Sequence, residues 1–360
     1  MSFRNFSKVN ENAGRWSFEI NEPALGCAFV NAIRRIILTD IPVLGFIGET
    51  MDQNEYSFQI LANDGPLHNE YMQARLGLLP IHHFVSDAIE LEKNGFEFEL
   101  NEENASHDMK NITTDMFTVR NGSKGAKDFF PNQILITRLC PNQKIHIRGT
   151  PIVKTARFHA CFSPVSLCVF HYIEDSHAIA AEKGPLSPLQ RERMYLKNKY
   201  NDPVAFKFEI ESEITPNEPK ADKKQIHDLV RMAIEILITK METIIAEMQK
   251  SEDEPRMVKS QPASTAGHEF IFQNEDDTIG NLIQSYVHRK YVRSRETIDD
   301  MLIEYIGYYC PHPLDPSVVL RIYSEGASPD KYRQCLNKIS EEIIEELNAA
   351  LGEWLQLNPQ

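Results

Sequence analysis

The chain repeats itself. Near its start, Glu22-Pro23-Ala24-Leu25-Gly26 leads into an apolar-periodic helix through Ile33-Arg34-Arg35. Late in the chain, Asp276-Asp277-Thr278-Ile279-Gly280 leads into a second such helix through Val287-His288-Arg289. Setting Leu25-Gly26 on Ile279-Gly280 brings Arg35 onto Arg289. After each helix comes a short apolar strand candidate with a central glycine, Val43-Leu44-Gly45-Phe46 and Tyr305-Ile306-Gly307-Tyr308. Each half then closes on a long amphipathic helix. Such self-similarity restricts the fold to two copies of one supersecondary unit.

The first closing helix is expected over 221–249, with Ile226, Leu229, Val230, Ala233, Leu237, Met241, Ile244, Ile245 and Met248 at steps of three and four. At 1.5 Å per residue it is roughly 40 Å long. The second is expected over 330–355, with Tyr332, Leu336, Ile339, Ile343, Leu347, Leu351 and Trp354 on one face and Ser328-Pro329 at its entry. Burying that face gains on the order of 10–20 kcal/mol before ordering entropy. Faces this long need a partner, and the nearest is the matching face of the other repeat.

Between the repeats, 250–268 is polar, holds two prolines and lacks periodicity, so it reads as a flexible linker. The first repeat is interrupted. Its helix lies before residue 49, whereas its half-buried returning strand, Ala205–Glu211, and its long helix follow residue 202. The stretch between carries strand-like runs at 56–61, 96–100, 133–139, 144–148 and 165–172, separated by turn residues. The expected class is α+β. Residues 1–48 and 174–249 form the first unit, 49–173 an inserted β-rich domain, 250–268 a linker and 269–360 the second unit.

At 360 residues the chain is long enough for two or three domains. Its formal net charge of −14 disfavours a broad grip on phosphate backbones and favours protein partners. No apolar run is long enough to span a bilayer, and the first fifteen residues lack the apolar core of a secretory signal. A reducing compartment is therefore expected. The six cysteines, Cys27, Cys140, Cys161, Cys168, Cys310 and Cys335, form no C-x-x-C pair.

His159, Cys161, Cys168 and His171 carry zinc-compatible donors, but at a spacing that matches no common finger or ribbon. On a strand, Cys168 and His171 would point to opposite faces. No nucleophile elbow or phosphate-binding glycine loop is present. The acidic run 274–277 could chelate Mg²⁺, but acids before a helix more simply cap its N–H groups. Neither a catalytic residue, nor a metal site, nor a cofactor is expected. Within the first helix, Arg34 and Arg35 cannot share one face, so at least one leaves the core.

Asn31-Ala32-Ile33-Arg34-Arg35-Ile36 with Asp40-Ile41-Pro42 resembles the signature helix of alpha-type RNA polymerase subunits. That family includes the bacterial alpha N-terminal domain, the archaeal D subunit and the eukaryotic third-largest subunit. Asn69-Glu70-Tyr71 and Ala74-Arg75-Leu76-Gly77-Leu78-Leu79-Pro80-Ile81 resemble its next block, and Ala156-Arg157-Phe158-His159-Ala160 with Phe162-Ser163-Pro164-Val165 the end of its inserted domain. Asp276-Asp277-Thr278-Ile279-Gly280-Asn281-Leu282 and Pro311-His312-Pro313-Leu314 resemble the shorter archaeal L or eukaryotic eleventh subunit. A chain carrying both is similar to the fused subunit of large cytoplasmic DNA viruses, the asfarvirus type in particular.

The resemblance implies two alpha-type dimerisation units paired within one chain, acting as a non-catalytic platform for the largest and second-largest polymerase subunits and for small subunits of the tenth-subunit type. It implies large-subunit contacts at Asn31, Arg34, Arg35, Arg75, Leu76 and Gly77. It implies an intramolecular dimer held by Leu25, Phe29, Ile33, Leu237, Met241, Ile279, Leu282, Ile283, Ile343 and Leu347. It further implies an intracellular protein, in host cytoplasm and virion if viral, with no membrane contact and little or no contact with nucleic acid. Some cellular relatives bind zinc or an iron–sulfur cluster through a cysteine cluster in the inserted domain; this chain lacks that cluster, and no metal is expected there. A stand-alone homodimer built on the long helices is the alternative architecture.

Overall fold

The computed structural model describes residues 1–9, 14–48, 56–121, 125–182, 184–250, 257–264 and 266–357. Alternating side chains make the first two strands, β1 (Ser2–Lys8) and β2 (Arg15–Asn21), with Phe18 and Ile20 turned inward. Helix α1 (Gly26–Thr39) follows and buries Phe29, Ile33, Ile36 and Ile37. The middle of the chain holds β3 (Val43–Gly45), β4 (Phe58–Asn63), α2 (Asn69–Gly77), α3 (Ala88–Lys93), β5 (Glu97–Glu103), β6 (Lys110–Thr113), β7 (Thr118–Arg120), α4 (Ala126–Phe129), β8 (Leu135–Leu139), β9 (Lys144–Gly149) and β10 (Ile152–Lys154). Then come β11 (Leu167–Tyr172), the short helices α5 (Ser176–Ala181) and α6 (Pro188–Glu192), β12 (Ala205–Glu211) and α7 (Ala221–Gln249). The last part runs β13 (Val258–Pro262), β14 (His268–Gln273), α8 (Asp277–Val287), β15 (Thr297–Ile298), β16 (Met301–Leu302), β17 (Tyr305–Tyr309), β18 (Ser317–Tyr323) and α9 (Pro329–Gln356).

Two four-stranded antiparallel sheets share one connectivity. The first has the order β1-β2-β12-β11 and the second β13-β14-β18-β17. Each set runs two strands, a helix, two strands and a long helix, so the repeat extends over whole units. Its internal alignment differs from the sequence reading at one step. The counterpart of β17 is β11, not Val43–Phe46, because β11 pairs with β12 as β17 pairs with β18. Val43–Gly45 instead forms a two-stranded ribbon with Ile152–Lys154.

Two boundaries move for the same reason. Leu167–Tyr172, expected within 49–173, belongs to the first sheet. Val258–Pro262, expected within the 250–268 linker, is the edge strand of the second sheet, in register with His268–Phe272. The buried carboxylate of Glu247, near the end of α7, accepts the Met257 N–H at 2.6 Å and so anchors the start of that strand. Of the expected linker, 251–256 and 265 lie outside the described residues, as do 49–55 at the expected start of the insertion.

The structure has two cores. One takes side chains from both repeats: Phe18, Phe29, Phe208, Leu237 and Met241 from the first, Phe270, Ile279, Leu320, Ile343 and Leu347 from the second. Helix α7 packs along α9, and α1 packs against both α8 and α7. Two long apolar faces that would each be insoluble alone thus cover one another. The second core is aromatic and lies wholly between residues 44 and 147, around Phe46, Phe58, Phe98, Phe117, Phe129 and Phe130. Buried Gln225 of α7 ties this part to the helix layer, accepting the Val85 N–H and donating to the His83 carbonyl. Among the described residues, no helix is long and apolar enough to cross a membrane.

Candidate functional site

The residues assigned in the sequence to the intramolecular dimer gather at the junction of the two repeats. Leu25, Phe29, Ile33, Leu237, Met241, Ile279, Leu282, Ile283, Ile343 and Leu347 all lie buried in the shared core. Around them the two first helices exchange arginines. Arg35 donates through Nε to the Thr278 hydroxyl at 2.9 Å and pairs through Nη2 with Asp276 at 3.3 Å, at the start of α8. Arg289, in the π-helical turn after α8, donates through Nη1 to the Ala24 carbonyl at 3.2 Å, at the start of α1. The sequence alignment that sets Arg35 on Arg289 therefore describes a two-fold reciprocity in space.

The two ends are not equal. Asp276 caps α8 by accepting the Thr278 N–H at 2.8 Å. Helix α1 has no side-chain cap, and Gly26 sits at φ +72° with the Arg289 guanidinium 2.1 Å from where a Cβ would stand. A glycine here supplies both the left-handed backbone and the space.

Beside Arg35 lies a balanced cluster of charges. Arg157 bridges Asp40 at 2.5 Å and Asp276 at 2.9 Å. Lys240 of α7 pairs with Glu275 at 2.8 Å and reaches Asp40 at 3.5 Å. Burial pushes the Asp276 carboxyl up, but bonds from Thr278 and the charges of Arg157 and Arg35 outweigh it and hold the group at about 2. Burial raises Glu275, only partly opposed by Lys240. Three cations and three carboxylates from α1, α7, the strand-to-sheet return at 157 and the start of α8 thus meet at one point. The cluster locks the second repeat against the first and against the segment returning from the β-rich part. Truncating one member of such a network leaves its partners desolvated and unpaired.

The large-subunit contacts implied by the resemblance divide into two sets. Arg35 makes bonds within the chain while its side chain stays partly exposed. Leu76 is 1% exposed in the second core, and a Cβ on Gly77 would stand 2.4 Å from the Gly48 Cα. Leu76 and Gly77 are thus engaged in internal packing and close backbone approach. Asn31 and Arg34 remain half-exposed on α1, where Asn31 Oδ1 accepts from Arg34 Nε at 3.1 Å and Nη2 at 2.9 Å. Arg75 lies at the surface against β8.

The zinc-compatible residues do not converge. Cys168 is buried with its thiol toward the Arg34 carbonyl, whereas His171 is exposed farther along the same strand. Cys161 points at the Phe46 carbonyl, and His159 Nδ1 accepts the Cys161 N–H. Burial lifts the Cys161 thiol to about 11 and Cys168 to about 12. Among the described residues, no group of three or more His, Cys, Asp or Glu side chains could hold a metal ion.

Residues 268–353 match the family model of the RNA polymerase Rpb3/Rpb11 dimerisation domain. The match begins at the first residue of β14 and runs nearly to the end of α9, so it covers the second repeat apart from its edge strand β13. This part of the chain is similar to the domain through which DNA-directed RNA polymerase subunits dimerise. No curated protein matches the chain. The sequence alone does not reveal that Arg157 and Lys240 join the charge cluster: Arg157 stands far from Asp40 and Asp276 along the chain, and although Lys240 lies between the core residues Leu237 and Met241, no local pattern marks its ion pairs.

Proposed function

We propose that the chain is a non-catalytic assembly-platform subunit of a multisubunit DNA-directed RNA polymerase, with two alpha-type dimerisation units paired in one polypeptide. The observation that carries this reading is the family match over 268–353, set in a chain whose first repeat has the same strand order and shares a core with the matched one. A dimerisation domain needs a partner, and here the partner face is supplied from within. Covalent linkage raises the effective concentration of one unit beside the other. The β-rich part between residue 56 and about 160 is then an insertion in the first unit.

In this reading the platform nucleates association of the largest and second-largest subunits and receives small subunits of the tenth-subunit type. Its proposed contacts with the large subunits are Asn31, Arg34, Arg35, Arg75, Leu76 and Gly77, the last two buried within this chain, and catalytic metal ligands belong to the largest subunit. The similarity to the viral fused type extends the proposal to transcription in host cytoplasm and virion. The acidic net charge accords with protein partners and little nucleic-acid contact. A tagged pull-down from cells expressing the native partners tests it, read by mass spectrometry and templated RNA synthesis. Two large subunits recovered with transcription activity support the platform role; a pure, stably folded chain recovered alone contradicts it.

A further inference from the structure

The second core encloses most of its apolar side chains, but one stripe of α2 is left uncovered. Tyr71 is 49% exposed on α2 and Leu78, just past its end, is 67% exposed, with Arg75 between them on the same helical face. Opposite them, Leu135 of β8 is 37% exposed. Arg75, Leu78, Leu79 and Leu135 are among the residues lining a groove of about 220 Å³. That is smaller than the roughly 300–1,000 Å³ of small-molecule sites. It suits a side-chain anchor, the kind of contact that dominates protein interfaces.

Arg75 sets the chemistry. Its Nε donates to the Ile136 carbonyl at 3.2 Å and its Nη2 to the Leu135 carbonyl at 3.0 Å. These two bonds fix the guanidinium along the groove wall. No described carboxylate pairs with Arg75. A positioned guanidinium with only neutral partners, set among exposed leucines, is complementary to a carboxylate flanked by aliphatic side chains.

We propose that this groove docks a segment of one of the two large polymerase subunits, carrying an aliphatic side chain next to an aspartate or glutamate. The aliphatic group enters between Leu78, Leu79 and Leu135, and the carboxylate pairs with Arg75. The inference rests on the assembly reading and adds the chemistry of one of its contacts.

The test uses the full chain co-expressed with the two large subunits. A photo-crosslinking residue at position 78 is activated in the purified complex, and the joined peptide is sequenced by mass spectrometry. In parallel, Leu78→Glu and Arg75→Gln are compared with wild type for binding of the large subunits, with Leu355→Glu as a control at an exposed leucine on α9. The expected peptide belongs to one of the two large subunits and places Asp or Glu within a few residues of an aliphatic side chain. Leu78→Glu is expected to weaken binding about tenfold or more. Arg75→Gln is expected to do the same and to reduce the salt dependence of what remains. The control stays at wild-type affinity. If Arg75→Gln lowers the melting temperature, Leu78→Glu, which alters an exposed side chain, decides. Wild-type binding by Leu78→Glu, a joined peptide without a carboxylate, or a cross-link to a second copy of this chain overturns the groove and leaves the platform standing. A wild-type chain that binds no polymerase subunit overturns both.

Discussion

Trp354 offers a direct probe of the packing between the repeats. It belongs to α9 of the second repeat and is fully buried, yet its ring neighbours lie in the first. The indole meets Phe18 at 4.9 Å, Phe3 at 5.2 Å and Phe6 at 5.4 Å, and stacks on His227 at 5.4 Å and 16°. Its N–H donates to the His227 carbonyl at 3.1 Å. A buried tryptophan covers about 150–250 Å², which at roughly 25 cal/mol per Å² corresponds to about 4–6 kcal/mol. Partial collapse of the cavity returns some of this, and the lost hydrogen bond removes about 1 kcal/mol more. Trp354→Ala is therefore expected to destabilise the chain by about 4 kcal/mol. Urea unfolding followed by circular dichroism reads the change, with Leu355→Ala, at the exposed neighbouring position, expected within about 0.5 kcal/mol of wild type. Because the ring joins the repeats, both should unfold at lower urea. A loss below about 1 kcal/mol for Trp354→Ala would refute the shared core.

Three further outcomes follow from the junction and the thiols. Gly26→Ala must hold a left-handed residue and push Arg289 away, so a loss of about 1–2 kcal/mol is expected in the same urea assay. Asp276, held at about 2, adds stability above the ordinary aspartate pKa near about 4, and this is lost as pH falls through that window. Asp276→Asn should thus be less stable than wild type at neutral pH, with the gap closing between about pH 4 and 2 in stepped urea titrations. Exposed Cys140 should react first with a thiol reagent. Buried Cys168 and Cys335, pushed up to about 12 by burial, should react only on unfolding, as counted by intact mass.

The elements that the sequence made legible are those whose period is long and local. Helices α7 and α9 and strand β12 lie where their apolar spacing places them, because their patterns repeat over several turns or alternations. Strand β11 departs from the sequence expectation for a non-local reason. Its partner β12 follows only after a 32-residue excursion, and its own run of apolar residues looks like one more strand of the β-rich segment. Val258–Pro262 was hidden by its polar, proline-containing composition; an edge strand tolerates such residues because one side of its ladder is unpaired. At α1, the pattern establishes that an arginine must leave the core but not what stands opposite it. That was decided by Asp276 and Thr278, more than 240 positions away. Gly77 shows the same limit, since its need for glycine comes from Gly48 and not from a turn.

Nucleation of polymerase assembly, the role proposed for this chain, is tested by reconstitution with the chain omitted and restored. The two large subunits are mixed with and without the full chain, and their association is followed by analytical ultracentrifugation. Under the proposed role they remain apart without the chain and form one complex, active in templated RNA synthesis, when it is added. Assembly of an active complex in its absence would contradict it.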